Sequence, residues 1–291
     1  MILVAGGQLD FNLGALLRRM LRRRVKFAEL LVGPDRIPRL TIDLAKDRLK
    51  IDGRAIRPTA CFIRHDVFLG LNLHTAEANA AALNWYVTIR GWELAHDDVR
   101  GFNKKSYAAE SNKLRDLYLA VRHGLDVPST LLCNEFQSAR KGMRGPLIQK
   151  PAAGGEHTGT FDELQAALAQ GAPIARYPRF VQQRMRRPEL RVYRIGDELF
   201  GFSLTSPDLD YRTQNRARLK PARVPAALGD KFHALCEDLG LDFAAGDFMR
   251  HPAGGGHRFL EVNSQPMFAA FDAASGGRIC DAIIDFLAPK P

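Results

Sequence analysis

The first third of the chain alternates short apolar runs with turn residues. Residues 1–5 are apolar, Gly6-Gly7 interrupts them, and residues 12–24 repeat apolar side chains at helical spacing. Short strand patterns separated by Asp-Gly and Pro then follow at residues 40–43, 48–52 and 60–64. This succession of strands and a helix predicts a small N-terminal α/β domain over residues 1–104.

A helix is predicted to start near residue 106 and to end at Gly124. Its spacing puts four apolar side chains on one face: Leu114, Leu117, Tyr118 and Val121. The pattern after it predicts a strand over residues 130–133 and a short helix capped by Asn134.

The pattern after residue 180 is that of strands joined by tight turns. Gly196-Asp197 separates strand patterns at 190–195 and 198–204, which is a strong hairpin signal. A glycine-rich turn separates two more, at 246–250 and 258–263. Helical patterns occur at residues 162–170, 226–239 and 277–287. The second part of the chain is therefore predicted to be α+β, with an antiparallel sheet.

Composition excludes several classes of protein. No apolar run of the 291 residues approaches the about 18 needed to span a bilayer. The four cysteines form no Cys-x-x-Cys pair, so neither a zinc knuckle nor a disulfide scaffold is indicated. Reduced thiols favour a cytoplasmic protein, and no membrane partner is expected.

The net charge of +10 favours anionic partners. Arginines are densest in the predicted helix 12–24, where Arg18, Arg19, Arg22 and Arg23 fall on one face and Leu13, Leu17, Met20 and Leu21 on the other. Two interpretations are open for these arginines. They form either a solvated helix face or a docking surface for an acidic partner.

Three oxygen-bearing side chains are predicted to converge near the C-terminus. Glu261 and Asn263 are two residues apart on one strand, so they share a face, and Asp247 lies on the preceding strand. Carboxylate and amide oxygens suit Mg²⁺, which takes one or two carboxylates together with substrate phosphates. The alternative is an edge strand with its polar residues in solvent.

Two lysines are candidates for binding phosphate. Lys150 ends a strand before a loop with Gly154, Gly155 and Gly159, whose backbone amides can approach an anion closely. No Walker motif is present, and a flexible surface loop is the alternative. For Lys113, on the predicted helix, a solvent-facing position is the more ordinary expectation.

The strand pattern at 180–185 can border a flat ring, with Glu189 able to accept hydrogen bonds from ribose hydroxyls. Arg191 alternates away from its apolar neighbours and could neutralise charge on a transferred phosphoryl group. Arg212 offers a second guanidinium. Surface ion pairing is the alternative for both arginines.

The order of these motifs resembles the ATP-grasp superfamily, in the branch of the ribosomal-protein glutamate ligase and the microviridin-type (graspetide) peptide ligases. The resemblance covers roughly residues 85 to 291. It depends most on the stretches Ser-Asn-Lys-Leu at 111–114, Gly-Leu-Asp-Val-Pro at 124–128, Glu-Leu-Arg-Val at 189–192 and Phe-Leu-Glu-Val-Asn at 259–263.

The resemblance implies an ATP-grasp domain over residues 105–291, with lobe A at about 105–178 and lobe B at about 179–291. It implies that ATP and Mg²⁺ are the cofactors of a ligase that joins a carboxylate to an amine through an acylphosphate. By position, it implies phosphate contacts for Lys113 and Lys150, an adenine hinge at Gln183 and Arg184, and a ribose contact for Glu189. It further implies Mg²⁺ ligation by Asp247, Glu261 and Asn263, with Arg191 and Arg212 facing the reacting groups.

The acceptor is less well defined than the ATP site. The segment 264–268, Ser-Gln-Pro-Met-Phe, departs from the Pro-Gly or Gly-Gln-Trp of many relatives. An acidic peptide or protein is the leading acceptor because of the basic surface, with a free amino acid or small molecule as the alternative.

Two other classes of function remain open. A phosphotransferase could use the same fold, and a nucleic-acid-binding protein could use the stripe Arg18–Arg24, although that stripe lacks interleaved aromatic residues. Proteins of this fold often pair, but no sequence pattern indicates the oligomeric state.

Overall fold

The structure is a computed structural model that describes residues 1–33, 36–64, 76–106, 112–135, 141–153, 158–168, 174–207, 209 and 217–289. Within these ranges the chain forms four β-sheets with helices packed against them. None of the described helices combines the length and apolar character needed to cross a membrane.

The N-terminal part is built on a parallel sheet. Its strands are β1 (Ile2–Gly7), β2 (Phe27–Val32), β6 (Ala60–Ile63) and β7 (Arg100–Gly101), in the order β2-β1-β6-β7. The intervening strands β3 (Leu40–Asp43), β4 (Arg48–Ile51) and β5 (Arg54–Ile56) form a separate antiparallel sheet. The helices are α1 (Phe11–Arg22) and α2 (Ala76–Ala95). The predicted α/β character of this part is confirmed, although β2 and α2 were not predicted.

A smaller antiparallel sheet follows helix α3 (Lys113–Arg122). Its strands are β8 (Thr130–Glu135), β9 (Leu147–Pro151), β10 (Gly159–Thr160) and β11 (Ile174–Gln183), in the order β10-β9-β11-β8. Helix α4 (Phe161–Leu168) covers one face, where Leu147, Phe161 and Val181 pack together. The opposite face, with Ile148 and Gln182, is turned towards the rest of the chain.

The C-terminal part contains a five-stranded antiparallel sheet in the order β14-β13-β12-β15-β16. Its strands are β12 (Arg186–Ile195), β13 (Glu198–Thr205), β14 (Arg218–Ala222), β15 (Phe243–Arg250) and β16 (His257–Asn263). The helices are α5 (Ala226–Asp238), α6 (Ala269–Ala274) and α7 (Arg278–Leu287). The predicted antiparallel sheet and its hairpin turn at 196–197 are confirmed.

Alternation along the strands of this sheet sends apolar side chains to both faces. On one face, Val192 and Phe248 pack against Phe232 of α5. On the other face, Tyr193 and Phe243 belong to a core shared with the N-terminal sheet and α7. That second face turns polar towards the start of β12 and the end of β15, so its polar end is left to border a cleft.

Asn103 joins the N-terminal part to the five-stranded sheet. Its side-chain Oδ1 accepts from the amides of Asp242 and Phe243 at 3.0 and 2.9 Å, and its Nδ2 donates to the carbonyl of Ser264 at 2.9 Å. This junction lies beside the predicted domain boundary at residue 104, which stays a prediction. The smaller and larger sheets meet in the connection 183–186, whereas the predicted lobe boundary near residue 178 falls inside β11.

Two predicted helix faces need correction. In α1, Leu13, Leu16 and Met20 are buried while Leu21 is 64% exposed, because contact with the sheet selects one narrow stripe of the helix. The predicted basic face is also divided. Arg19 and Arg23 bind Asp281 of α7, so only the remaining arginines of the stripe are solvated.

In α3 the predicted apolar face is largely wrong. Leu114, Tyr118 and Val121 are exposed, while Asp116 and Ala120 are buried. The helix packs on β16 and α5 through its less apolar side, which brings its N-terminus to the cleft. The cap predicted at Asn134 is also wrong, because Asn134 lies inside strand β8.

Candidate functional site

A cleft of about 710 Å³ lies between the smaller sheet and the five-stranded sheet. Ile148, Lys150 and Gln182 line it from the smaller sheet. From the larger sheet it is lined by Glu189, Arg191, Asp247, Glu261 and Asn263. The predicted site residues that the structure describes on these two sheets therefore share one cavity.

Strand register aligns three of these side chains in a row. Arg191 on β12 is paired with Asp247 on β15, which is paired with Glu261 on β16. The register shifts just beyond Asp247, since Phe248 is paired with Phe259 and Leu260 is the extra residue of a bulge. The predicted pairing of the strands that carry Asp247 and Glu261 is thus confirmed.

Arg191 and Asp247 form a buried ion pair. Arg191 Nε lies 2.8 Å from Asp247 Oδ1, and its terminal nitrogen donates to Oδ2 at 3.0 Å. The side chains are 7% and 9% exposed, and the guanidinium also lies 5.3 Å from the centre of the Phe271 ring. Burial raises the pKa of Asp247 despite the guanidinium beside it. The surface ion pair considered for Arg191 is therefore excluded.

Glu261 is held by ammonium groups. Lys113, the first residue of α3, lies 3.2 Å from Glu261 Oε2, and the Asn112 side chain caps this helix by accepting from the amides of Leu114 and Arg115. Burial would raise the pKa of Glu261, but the charges of Lys150 and Lys113 outweigh it and lower the pKa to about 2. Glu261 is consequently an ionised carboxylate with two cations close by.

Glu189 is a buried acid on β12, two residues before Arg191. It is 4% exposed, and its Oε1 has no hydrogen-bond partner among the described residues. Burial, followed by the charge of Asp247, raises its pKa to about 8. A buried carboxyl oxygen without a partner, lining a cleft, is suited to accepting a hydrogen bond from a ligand hydroxyl.

Gln183 and Arg184 line the cleft in the connection between the two sheets. Their amides already donate within the protein, to the carbonyls of Ser129 and Pro146 at 2.9 Å each. These two amides are therefore not the donors that a bound ring would use. The carbonyl and side-chain groups of Gln183 and Arg184 are the groups that could contact a ligand.

The oxygen donors fit a magnesium ion better than a transition metal. Within the described part of the chain, no group of three or more His, Cys, Asp or Glu side chains is arranged to hold a metal. The candidate set is two carboxylates and one amide, Asp247, Glu261 and Asn263, with Asn263 two residues beyond Glu261 on the same strand. Such a partial set is typical of Mg²⁺ sites that phosphate oxygens complete.

Some predicted site residues lie outside the described residues. These are Arg212 and, in the loop after Lys150, Gly154 and Gly155. Gly159 is described and lies at the start of β10, opposite Gln149.

Several residues that line the cleft were not singled out as site residues from the sequence, although Gln182 lies in the predicted strand 180–185. Gln182 is 2% exposed and its Oε1 has no hydrogen-bond partner among the described residues, although its Nε2 donates to Thr130. Its position opposite Ile148, two residues before Lys150, could have indicated a cleft-facing side chain. Met267 was noted only as a departure from relatives, and no local pattern indicates that it enters the cleft.

Solved structures of similar shape were found by comparison. The ATP-grasp ligase PsnB, complexed with minimal precursor, Mg and ADP, superposes with a TM-score of 0.75 at 21% identity, over 98% of each chain. The chain has the ATP-grasp fold.

Two further ATP-grasp structures are similar over nearly their whole length. Macrocyclase MdnC from Microcystis aeruginosa MRC, bound with precursor peptide MdnA, has a TM-score of 0.75 at 16% identity over 99% of each chain. The Chryseobacterium gregarium RiPP-associated ATP-grasp ligase, in complex with ADP and a leader and core peptide, has a TM-score of 0.76 at 18% identity. That superposition covers 100% of this chain and 97% of the Chryseobacterium gregarium chain. No family model and no curated protein matches the sequence.

Proposed function

We propose that this protein is an ATP- and Mg²⁺-dependent ligase that joins a carboxylate to an amine or hydroxyl through an acylphosphate, with a peptide or protein as substrate. The observation that carries the proposal is the row of Arg191, Asp247 and Glu261 across three strands, with Lys113 and Lys150 beside it. Carboxylates for a cation and cations for phosphates then meet in one cleft of an ATP-grasp fold.

The chemistry requires two anions to react. A substrate carboxylate oxygen attacks the γ-phosphorus of ATP and ADP leaves; the nitrogen of an amine then attacks the acyl carbon, phosphate leaves and the nitrogen loses a proton. Lys150 and Lys113 would neutralise phosphate oxygens, and Arg191 and Arg212 would face the phosphoryl and acyl groups. The row contains no serine, threonine or cysteine, and this route needs no covalent intermediate on the protein.

Asp247, Glu261 and Asn263 would hold Mg²⁺, which when bound supplies further neutralisation of the phosphate charge. Glu189, with its buried oxygen free of partners among the described residues, would accept from a ribose hydroxyl. Gln183 and Arg184 would border the adenine. In the structure, Lys113 is paired with Glu261. Lys113 would therefore bind a phosphate only if this ion pair opens when nucleotide binds.

A peptide substrate is supported by charge and by the neighbours. Arg184, Arg186 and Arg187 line the cleft, and the whole chain carries a net charge of +10, which favours an acidic peptide. The structures of PsnB, MdnC and the Chryseobacterium gregarium ligase are complexes with a minimal precursor, a precursor peptide, and a leader and core peptide, respectively. A free amino acid remains the alternative acceptor.

A cytoplasmic location is part of the proposal, since the reaction consumes ATP and the four cysteines are free thiols. The alternative hypothesis, nucleic-acid binding through α1, has less support, because Arg19 and Arg23 are paired with Asp281.

The test incubates the purified protein with ATP, Mg²⁺ and a pool of acidic peptides, and records peptide masses and ADP release. The ligase predicts the loss of one water per bond formed, together with ADP and phosphate. A gain of one phosphate on the product would instead identify a phosphotransferase.

Variants connect the activity to the row. Glu261→Gln and Asn263→Ala should abolish turnover with an unchanged melting temperature, while Glu198→Gln, at the exposed hairpin turn, should retain it. Full activity in either cleft variant would contradict the metal assignment.

A further inference from the structure

The segment 264–268 forms one wall of the cleft directly after Asn263. Gln265, Pro266 and Met267 line the cavity, and Met267 is 54% exposed. An exposed methionine between buried neighbours requires a reason, because Pro266 and Phe268 on either side are buried.

Residues from the N-terminal sheet hold this segment. Arg64, at the end of β6, donates from a terminal nitrogen to the carbonyl of Pro266 at 2.9 Å. Its Nε donates to Asp10 Oδ2 at 2.8 Å, and the two side chains are 1% and 0% exposed. This ion pair lies within the N-terminal part, and the Arg64 guanidinium that it orients also binds the cleft wall across the junction, so a pair that is costly to desolvate stands where the wall is attached.

Asn12 completes the attachment. Its Oδ1 accepts from the amides of Phe268 and Ala269 at 2.6 and 2.8 Å, and its Nδ2 donates to Asp10 Oδ1 at 2.7 Å. Asp10 thus orients both the arginine and the asparagine that grip the segment.

The Met267 residue itself is bound at two points. Its sulfur accepts from Asn12 Nδ2 at 3.2 Å and from a terminal nitrogen of Arg64 at 3.4 Å. Its carbonyl accepts from the Tyr193 hydroxyl at 2.5 Å. The sulfur is therefore held by two donors in a residue that lines the cavity.

Strand β12 relates the position of this wall to the other residues of the cleft. Glu189, Arg191 and Tyr193 alternate on one face, at spacings of about 6.6 Å for two residues of strand. The Tyr193 hydroxyl donates to the Met267 carbonyl, so the series along the strand runs from Glu189 through Arg191 to the residue that contacts Met267. If Glu189 binds ribose and Arg191 faces the phosphoryl group, the same direction along β12 places Met267 beyond the reacting phosphoryl group. The peptide that reacts with ATP must enter on that side.

We propose that Met267 is the apolar contact for the aliphatic part of the substrate amino acid, and that Arg64, Asp10, Asn12 and Tyr193 are the positioning residues that hold it there. This inference rests on the proposed function, because it takes the direction of ATP along β12 from it.

The first test measures the position of Met267 without any substrate. The chain has six methionines, so methyl-¹³C-methionine labelling gives a simple NMR spectrum, in which Met267→Leu assigns the signal. Arg64→Lys, which retains the charge beside Asp10, and Tyr193→Phe, which removes only a hydroxyl, should each shift the Met267 signal and leave that of Met143, in the separate core of the smaller sheet, unchanged. An unmoved Met267 signal in both variants would refute the positioning role.

The second test uses the acidic peptide that the wild-type protein modifies. Met267→Ala and Tyr193→Phe should lower kcat/KM for the peptide about tenfold, the factor typical of one lost contact, while the KM for ATP stays constant. Equal losses for both substrates, or none, would refute the acceptor-side assignment.

A matched control is Arg100→Met. Arg100 also joins the N-terminal sheet to the C-terminal part, donating to the carbonyl of Phe286 at 3.0 Å, but it does so at α7, away from the cleft. It should leave both kinetic constants unchanged. If the wild-type protein modifies no peptide, the proposed function fails, whereas the NMR result still decides whether these residues position Met267.

Discussion

Replacing Glu93 by glutamine should remove a pH-dependent part of the free energy of unfolding. Glu93, on α2, is 1% exposed and pairs with Arg90, which donates to the carbonyls of Phe102 and Asn103 at 3.1 and 2.6 Å. Burial raises the pKa of Glu93 from its ordinary value of 4.5 to about 7, although Arg90 opposes the rise.

The sign follows from proton binding. The folded protein binds the Glu93 proton more tightly than the unfolded chain, so this group makes the folded state less stable as pH rises from about 4.5, and the loss levels off above about 7. At about 1.36 kcal/mol per tenfold change in proton affinity, the loss amounts to about 3 kcal/mol.

Urea unfolding of wild type and Glu93→Gln at pH 5 and pH 8 measures this contribution. The free energy of unfolding of the wild type should fall more steeply between the two pH values than that of the variant, by up to about 3 kcal/mol. Glu198→Gln, at the exposed hairpin turn, should retain the wild-type slope. Equal slopes for wild type and Glu93→Gln would refute the reasoning.

Three further changes test the cleft and the packing. Lys150→Ala should weaken Mg-ADP binding by the roughly 1.5–3 kcal/mol of a hydrogen bond to a charged group, and unchanged affinity by calorimetry would contradict its phosphate role. Asp281→Asn should cost about 1 kcal/mol at neutral pH. The hydrogen bond from Arg19 lowers the pKa of Asp281 below 3.8. The cost of the substitution should therefore shrink at low pH, where the Asp281 carboxylate of the wild type becomes protonated. A cost that does not change with pH would contradict a stabilising ion pair between Arg19 and Asp281. Gly246→Ala should cost about 1–3 kcal/mol in thermal unfolding, since a Cβ there would lie 2.5 Å from the Phe232 ring; an unchanged melting temperature would contradict that close packing.

The sequence predicted the parts of the site that depend on short-range regularity. Glu261 and Asn263 share a face because strands alternate, and Asp247 is paired with Glu261 because one short turn joins the two strands. The hairpin at Gly196-Asp197 was predictable for the same reason. The roles of these residues in binding nucleotide and metal stay predictions.

What could not be predicted depends on contacts between distant segments. The local sequence around Leu114 and Tyr118 does not indicate that α3 packs through Asp116 and Ala120. The buried face of α3 depends on its contacts with β16 and α5. Likewise, Arg64 is separated by 202 residues from the carbonyl it binds in the cleft wall. Propensity and periodicity carry no information on such pairs.

The division of the cores has a mechanical consequence. The smaller sheet has its own apolar cluster around Phe161 and Val181, whereas the N-terminal sheet and the five-stranded sheet share another, around Phe62 and Tyr193. Because its apolar cluster is separate, the smaller sheet can shift relative to the five-stranded sheet without exposing the larger core to water. For the proposed nucleotide-binding cleft, opening would then cost contacts across the cleft but not the larger core, and the smaller sheet should exchange its amide hydrogens sooner than the five-stranded sheet.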